Sequence, residues 1–125
     1  MNKQKCTLCL GSNFNKLTSL EAARQYLLPI FPDIRFDEEQ LTPAIGNGFR
    51  SPFLNQVASF STALTAEEVR LELKEIERKL GRLPEDKAKG IVRIDIDLLT
   101  YGEQILKPAD LERDYIQKGL KNLAD

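Results

Sequence analysis

Two aspartates in the segment RIDIDLLTYG could bind a divalent metal. Asp95 and Asp97 lie in a run of alternating polar and apolar residues, which is typical of a strand with one buried face. At a rise of about 3.3 Å per residue, the two carboxylates would lie roughly 6.6 Å apart on one face. Carboxylates at that spacing can share one hard cation, or hold two ions about 3.5–4 Å apart as in phosphoryl-transfer sites. A solvated face of an antiparallel sheet shows the same alternation, so the pattern alone leaves both interpretations open.

A group of basic residues precedes and enters this segment. The group comprises Arg82, Lys87, Lys89 and Arg93. Phosphate chains are bound by metal ions together with Lys or Arg, which neutralise the oxygens that the metal does not reach. The sequence therefore favours a phosphate site beside the two aspartates, although a solvated loop has the same composition. Lys74 and Glu77 flank the apolar stripe of the helix before this loop.

The composition excludes several kinds of site. The sequence contains no histidine, so a Ser-His-Asp triad, a Cys-His pair and a His-ligated zinc are ruled out. Cys6 and Cys9 are three residues apart, so in a strand they point to opposite faces and cannot pair. The net charge of −1 shows no overall excess of positive charge for binding nucleic acid or an anionic membrane, although a local basic cluster is compatible with it. No apolar run approaches the ~20 residues of a bilayer span. We expect one domain, residues 1–125, in the cytoplasm.

The apolar pattern predicts the element order β-α-β-β-α-β with a helical tail. Strands are expected at residues 5–10, 34–41, 53–64 and 93–102, with a short strand at 104–106. This order is typical of the ferredoxin-like fold, in which an antiparallel sheet carries two helices on one face. The predicted fold class is therefore α+β, ferredoxin-like, with a C-terminal helix over residues 110–123. The Gly- and Pro-rich loop 42–52 is predicted to be a binding loop or lid.

Capping boxes predict where the two central helices begin. In the first helix the pair is Thr18 and Glu21, and Pro29 is expected to end the helix. In the second helix the pair is Thr65 and Glu68, and a glycine follows its last turn. Apolar residues recur at helical spacing between these signals, so each helix is predicted to bury one face.

Five short motifs occur in order along the chain. They are LGSN at residues 10–13, TP at 42–43, FLN at 53–55, LGR at 80–82 and IDIDLLTYG at 94–102. Together they resemble the bacterial 6-hydroxymethyl-7,8-dihydropterin pyrophosphokinases, folate-pathway enzymes that transfer a diphosphate from ATP to a pterin alcohol. The resemblance covers most of the chain, and the family fold is the ferredoxin-like core already predicted.

The resemblance implies a role for each matching position. Asp95 and Asp97 would bind two magnesium ions that bridge the phosphates of ATP, and Arg82 and Arg93 would join them as catalytic residues. The pterin pocket would be formed by Thr42, Pro43, Ile45, Phe53 and Asn55. The nucleotide would be contacted by Lys74, Glu77, Arg82, Lys87, Lys89 and the backbone of Leu98. The loops 42–52 and 83–92 would close over the substrates.

Three departures from the family pattern affect the nucleotide side. The family's arginine three residues before the first aspartate is Val92 here, and a shift of one residue to Arg93 turns a side chain to the other face of a regular strand. Tyr115 lies near the position of a family histidine, and the sequence ends at Asp125, before family members do. These departures predict a slow or specialised pyrophosphokinase, dependent on ATP and magnesium.

Two other interpretations stay open. A non-catalytic relative could bind a pterin or a nucleotide, or pair with a folate-pathway enzyme; Val92 favours it, and the intact Asp95 and Asp97 oppose it. A plain ferredoxin-like oligomerisation domain would need neither aspartate. The expected partners are a pterin and ATP, with no nucleic acid and no membrane, and the sequence leaves open a homo-oligomer.

Overall fold

The computed structural model describes residues 2–43 and 52–124. Its strands are β1 (Gln4–Ser12), β2 (Arg35–Phe36), β3 (Gln40–Thr42), β4 (Phe53–Thr62), β5 (Asp95–Tyr101) and β6 (Gln104–Ile105). Its helices are α1 (Lys16–Ile30), α2 (Ala66–Lys79), α3 (Pro108–Leu111) and α4 (Asp114–Leu123), and a 3₁₀ helix spans Pro84–Lys89. Residues 44–51 of the predicted lid, including Ile45, lie outside the described residues.

The strand β1 lies at the centre of an antiparallel sheet, between β4 and β5. The described strands are ordered β2–β4–β1–β5–β6, and β3 also pairs with β4. Cys6, Leu8 and Leu10 of β1 are all buried in the main core, as the two-residue period of a strand requires. The prediction of an α+β, ferredoxin-like fold is confirmed.

The helices α1 and α2 cover one face of this sheet and close the main core. Their buried residues are Leu20, Ala23 and Leu27 of α1 and Val69, Leu73 and Ile76 of α2. The predicted capping box of α2 is confirmed, since the Glu68 N–H donates to Thr65 Oγ1 over 3.1 Å and the Thr65 N–H donates to Glu68 Oε1 over 2.9 Å. These two reciprocal hydrogen bonds fix the residue at which α2 begins.

The helix α4 covers part of the opposite face. A smaller core there consists of Val57, Leu99, Ile116 and Leu123. Gly119 permits close packing, because a Cβ at this position would lie only 2.5 Å from Val57 Cγ2. Leu99 lies on the same side of β5 as Asp97. Because Leu99 packs against α4 in the smaller core, the helix covers part of the sheet face that carries the aspartates. That face is therefore not a plain solvated surface.

The predicted start and end of α1 are wrong. The helix begins at Lys16, after Asn15 in the left-handed conformation (φ 47°), and this position makes no side-chain capping bond. Asparagine tolerates that conformation well, which lets the chain turn into the helix two residues before Thr18. Glu21 is already inside the helix and accepts a hydrogen bond from Arg24. Pro29 also lies within α1, which continues to Ile30.

Several predicted boundaries also shift. The strand expected at 93–102 begins at Asp95, which leaves Arg93 in a bend before it. The segment 34–41 forms two short strands, and the C-terminal helix is divided into α3 and α4. The loop 83–92 contains the 3₁₀ helix. Within the described residues, no helix combines the length and apolar character needed to cross a bilayer.

The two cysteines lie on opposite sides of β1, as predicted. Cys6 is in the main core, and Cys9 packs against the smaller core. Both thiols are free, and burial raises the pKa of Cys6 to about 11 and that of Cys9 to about 12. Neither is therefore a thiolate nucleophile at neutral pH.

Candidate functional site

Asp95 and Asp97 project from β5 into a cleft of about 200 Å³. On the neighbouring strand β1, Asp95 lies opposite Gly11 and Asp97 lies opposite Cys9. Ile96, between them, is buried on the other side of the sheet. The alternation read from the sequence thus places both carboxylates in one cavity.

The cleft is also lined by residues from distant parts of the chain. Its walls include Thr42 and Pro43 after β3, Phe53 and Asn55 of β4, and Asp110, Arg113, Tyr115 and Ile116 from the α3–α4 region. Four of the five residues predicted for the pterin pocket are therefore beside the two aspartates. The fifth, Ile45, is not described.

The side chain of Asn55 is held in one orientation at the floor of the cleft. Its Nδ2 donates a hydrogen bond to Thr42 Oγ1 over 2.7 Å. A Cβ on Gly11 would lie 3.1 Å from Asn55 Oδ1, so the glycine leaves room for this amide. The arrangement can present a carbonyl oxygen to the N–H of a ligand.

A second cavity, a groove of about 700 Å³, adjoins the cleft. It is lined by Lys74, Glu77, Arg82, Lys87, Arg93 and Asp95, among others. Asp95 lines both cavities, so the cleft and the groove meet at its carboxylate. Lys89 is exposed and lines neither cavity, and the side chain of Leu98 is buried in the main core, so only its backbone could face a ligand.

Arg82 links the groove to the first aspartate. Its Nη1 donates to Glu77 Oε1 over 2.9 Å and lies 3.5 Å from Asp95 Oδ1. Glu77 is buried, and its Oε2 accepts the backbone N–H of Ile96 over 2.8 Å. Burial raises the pKa of Glu77, and this backbone bond acts in the opposite direction.

The two aspartates suit a magnesium ion that keeps open positions for a substrate. Burial raises the pKa of Asp95, and the charge of Asp97 raises it further. A divalent cation between them would relieve that repulsion. No group of three His, Cys, Asp or Glu side chains able to hold a metal occurs in residues 2–43 and 52–124. In phosphate-binding sites, Mg²⁺ is usually coordinated by one or two carboxylates, and phosphate and water oxygens complete its coordination shell.

Arg93 does not lie on the strand face of the aspartates, where the predicted strand over residues 93–102 would place it. It lies in the bend before β5, where its Nε donates to Asp86 Oδ2 over 2.9 Å and its guanidinium lies 4.5 Å from the centre of the Phe14 ring. Val92 is held by its backbone, since its N–H donates to Asn13 Oδ1 over 2.6 Å. The cation nearest to the aspartate pair on the groove side is Arg82.

Several residues of the cleft were not predicted from the sequence. They are Cys9, Gly11, Leu99, Asp110, Arg113 and Ile116. Tyr115 was noted only as a departure from the family, and burial raises its pKa to about 12. The LGSN motif pointed to Gly11, whereas nothing local indicated that α3 and α4 return over the aspartates.

The chain was compared with family models and with solved structures. The chain has 12% identity and a TM-score of 0.42 with the solution structure of the C-terminal domain of the MgtC protein from Mycobacterium tuberculosis, over 82% of this chain and 92% of that one. The family model of 7,8-dihydro-6-hydroxymethylpterin-pyrophosphokinase (HPPK) matches residues 7–125. The chain therefore belongs to the HPPK family, the pyrophosphokinases of folate biosynthesis.

Proposed function

We propose that the chain transfers a diphosphate group from ATP to the hydroxymethyl group of 6-hydroxymethyl-7,8-dihydropterin, with bound magnesium, in the cytoplasm. The observation that carries this proposal is that Asp95 lines both the cleft and the groove. A flat heterocycle in the cleft and a nucleotide in the groove would meet at this carboxylate. Transfer between two substrates requires that their reacting ends be held together in this way.

The proposed reaction balances without any further reactant. The alcohol oxygen forms a bond to the β-phosphorus of ATP, and the bond from that phosphorus to the oxygen bridging the α-phosphate breaks. AMP leaves with the electron pair of the broken bond, and the alcohol proton passes to solvent. Because the chemistry depends mainly on positioning and charge neutralisation, the lack of a histidine base does not oppose it.

The pterin would bind in the cleft against Phe53 and Pro43. The ring of Phe53 offers a flat wall for a planar heterocycle. Asn55, oriented by Thr42, can accept a hydrogen bond from a ring N–H through Oδ1. Ile45 is included in the proposed pocket only because the family resemblance assigns it there.

The nucleotide would bind in the groove, with its base at the outer edge of β5. Within the described strands, β6 pairs only with Thr100 and Tyr101, and Glu77 takes the N–H of Ile96. Leu98 pairs with Leu8 of β1 on the inner side of β5, but on the outer side no described strand pairs with it, so we propose that its backbone bonds a base edge there. The proposed phosphate-binding cations are Lys74, Arg82, Lys87 and Lys89.

Asp95 and Asp97 would hold the magnesium, and we propose two ions. When bound, the metal would neutralise phosphate oxygens and draw the phosphates into place. Arg93 is proposed as a catalytic cation, but it would first have to leave Asp86, since their 2.9 Å bond holds it away from β5. This requirement supports the prediction of a slow enzyme.

The test is the release of AMP from ATP with magnesium and the dihydropterin alcohol. We expect turnover by the wild-type chain and a loss of about 10²- to 10³-fold in kcat for Asp95→Asn and Asp97→Asn, because each removes a charged metal ligand. Asp114→Asn, on an exposed position of α4, is the control and should keep wild-type activity. No turnover together with no heat of ATP binding would exclude the proposal.

A second candidate is a non-catalytic module that binds the same ligands. The observation that favours it is the Asp86–Arg93 bond, which keeps this cation out of the cleft. Such a module would show heat on titration with the pterin and with Mg–ATP, but no AMP release at any enzyme concentration. Turnover that is abolished by Asp97→Asn would exclude it.

A further inference from the structure

The loop 83–92 is held by a pair of charged side chains at the edge of the groove. Arg93 Nε donates to Asp86 Oδ2 over 2.9 Å, and Arg93 Nη2 donates to Asp86 Oδ1 over 3.4 Å. Both residues line the groove. We propose that the Asp86–Arg93 pair is an autoinhibitory contact, and that the groove accepts a nucleotide only after this pair has opened. This inference rests on the proposed function and adds to it a contact that regulates the nucleotide site.

The pair is largely shielded from water. The side chain of Asp86 is 6% exposed and that of Arg93 is 24% exposed. Asp86 Oδ2 also accepts the Leu83 N–H over 3.0 Å, so the carboxylate closes the start of the loop onto its end. A shielded, charge-assisted pair of this kind is stronger than an exposed surface pair. The closed arrangement is therefore the resting state of the loop.

Phe14 fixes the position of the arginine relative to β1. The guanidinium of Arg93 lies 4.5 Å from the centre of the Phe14 ring, a distance at which a cation is attracted to an aromatic face. The Phe14 carbonyl accepts hydrogen bonds from Ser12 Oγ over 3.0 Å and from Ser19 Oγ over 2.9 Å. These bonds hold Phe14 in the turn between β1 and α1. Asp86 is thus connected, through Arg93, to a fixed part of the fold.

The 3₁₀ segment Pro84–Lys89 depends on this pair for its polar connection to the fold. Within residues 2–43 and 52–124, hydrogen bonds and ion pairs join this segment to residues outside 83–91 only through Asp86 and Arg93. Gly81 and Gly90 lie on either side of the segment, with φ of 92° and 71°, and glycine adopts such angles without strain. Opening of the pair would therefore let the segment move between two glycines.

The closed pair keeps two of the proposed phosphate-site cations away from the nucleotide. Arg93 is bound to Asp86, and Lys89 lies outside both the cleft and the groove. A molecule in this state presents only part of the proposed set of cations. The apparent affinity for a nucleotide is then lowered by the fraction of molecules in which the pair is open.

The kinetics of nucleotide binding test the proposal. A fluorescent, non-hydrolysable ATP analogue with Mg²⁺ is mixed with the protein by stopped flow. For wild type we expect the observed rate to reach a plateau at high analogue concentration, because opening precedes binding. Asp86→Asn removes the charge that holds Arg93, so it should raise this plateau about 3- to 10-fold. Glu85→Gln makes the same change of charge at the exposed neighbouring position and should match wild type.

Two further measurements separate inhibition from a structural role. Phe14→Leu keeps the carboxylate but removes the aromatic contact, so it should raise the plateau about 2- to 5-fold even if Asp86→Asn folds poorly. Without ligand, hydrogen exchange over residues 83–91 should be faster in Asp86→Asn than in Glu85→Gln, while β1 stays protected. An unchanged exchange rate would overturn the proposal.

The outcomes also distinguish this proposal from the proposed function. A higher plateau in the variants without any release of AMP would support the autoinhibitory contact and exclude the transfer reaction. AMP release by wild type with equal or lower plateaus in Asp86→Asn and Phe14→Leu would do the reverse. A wild-type rate that rises linearly with analogue concentration, or no binding by any of these proteins, would overturn the inference.

Discussion

Asn13 and Val92 are joined by two hydrogen bonds. The Asn13 N–H donates to the Val92 carbonyl over 3.0 Å, and the Val92 N–H donates to Asn13 Oδ1 over 2.6 Å. Asn13 Nδ2 also donates to the Gly90 carbonyl over 2.8 Å. One side chain at the end of β1 thus fixes the end of the loop 83–92, next to the first aspartate.

Replacing this side chain should loosen the loop and reduce stability. Asn13→Ala removes two bonds to a buried or half-buried backbone, so we expect a loss of about 1–3 kcal/mol in the free energy of unfolding. Hydrogen exchange should become faster at Val92 while the β1 amides stay protected. Asn122→Ala, which removes an exposed amide of α4, is the control and should change stability by less than about 0.5 kcal/mol. Unchanged exchange at Val92 would contradict the role of Asn13.

The sequence predicted the parts of the site that depend on local periodicity. The two-residue period placed Asp95 and Asp97 on one face, and the family resemblance assigned Asn55 to the pterin pocket. The parts that failed depend on contacts between distant segments. Arg93 pairs with Asp86 because the loop forms a 3₁₀ helix that contains this aspartate. No local sequence pattern shows which acidic side chain of such a loop will contact the arginine.

The roof over the cleft could not be predicted either. It depends on Gly119, whose missing side chain lets α4 approach Val57. From the sequence alone, a glycine inside an amphipathic helix indicates only a lower helix propensity at that position. The same limit explains the Thr18–Glu21 error, since a Thr-x-x-Glu spacing also occurs inside helices.

Arg82→Gln should change two affinities in opposite directions. Without nucleotide, Arg82 competes with a cation for Asp95, so its loss should strengthen Mn²⁺ binding by about 2- to 5-fold, as expected for an exposed pair. With a non-hydrolysable ATP analogue the variant should bind more weakly, because a phosphate contact is lost. Electron paramagnetic resonance and calorimetry measure the two effects. Arg70→Gln, earlier in α2 and beside Glu67, is the control. A fall in both affinities would contradict the competition.

Asp86 should make stability depend on pH in the acid range. The Leu83 N–H, and next the Arg93 side chain, lower the pKa of Asp86 from its ordinary value of 3.8. A lowered pKa in the folded state means that the stabilisation is complete above the unfolded value and is lost as the pH falls through the folded one. Asp86→Asn should therefore be less stable than wild type at pH 7, and the difference should shrink below pH 3.8. Thermal unfolding between pH 2 and pH 7 measures this, with Glu103→Gln in an exposed turn as the control. A difference that is the same at all pH values would contradict the ionic origin.

Gly119→Ala should displace α4 and with it the roof of the cleft. The added Cβ would lie 2.5 Å from Val57 Cγ2 and 2.6 Å from Val57 Cβ, and the second atom cannot move without the backbone of β4. Overpacking of this kind costs about 1–3 kcal/mol, which exceeds the gain of up to about 1 kcal/mol from replacing glycine in a helix. We expect a net loss of stability in urea unfolding and a higher KM for the alcohol, because Tyr115 and Ile116 move with the helix. Lys118→Ala, on the exposed side of α4, should be neutral or slightly stabilising. If Gly119→Ala proves as stable as Lys118→Ala, then α4 does not depend on this contact to cover the aspartates.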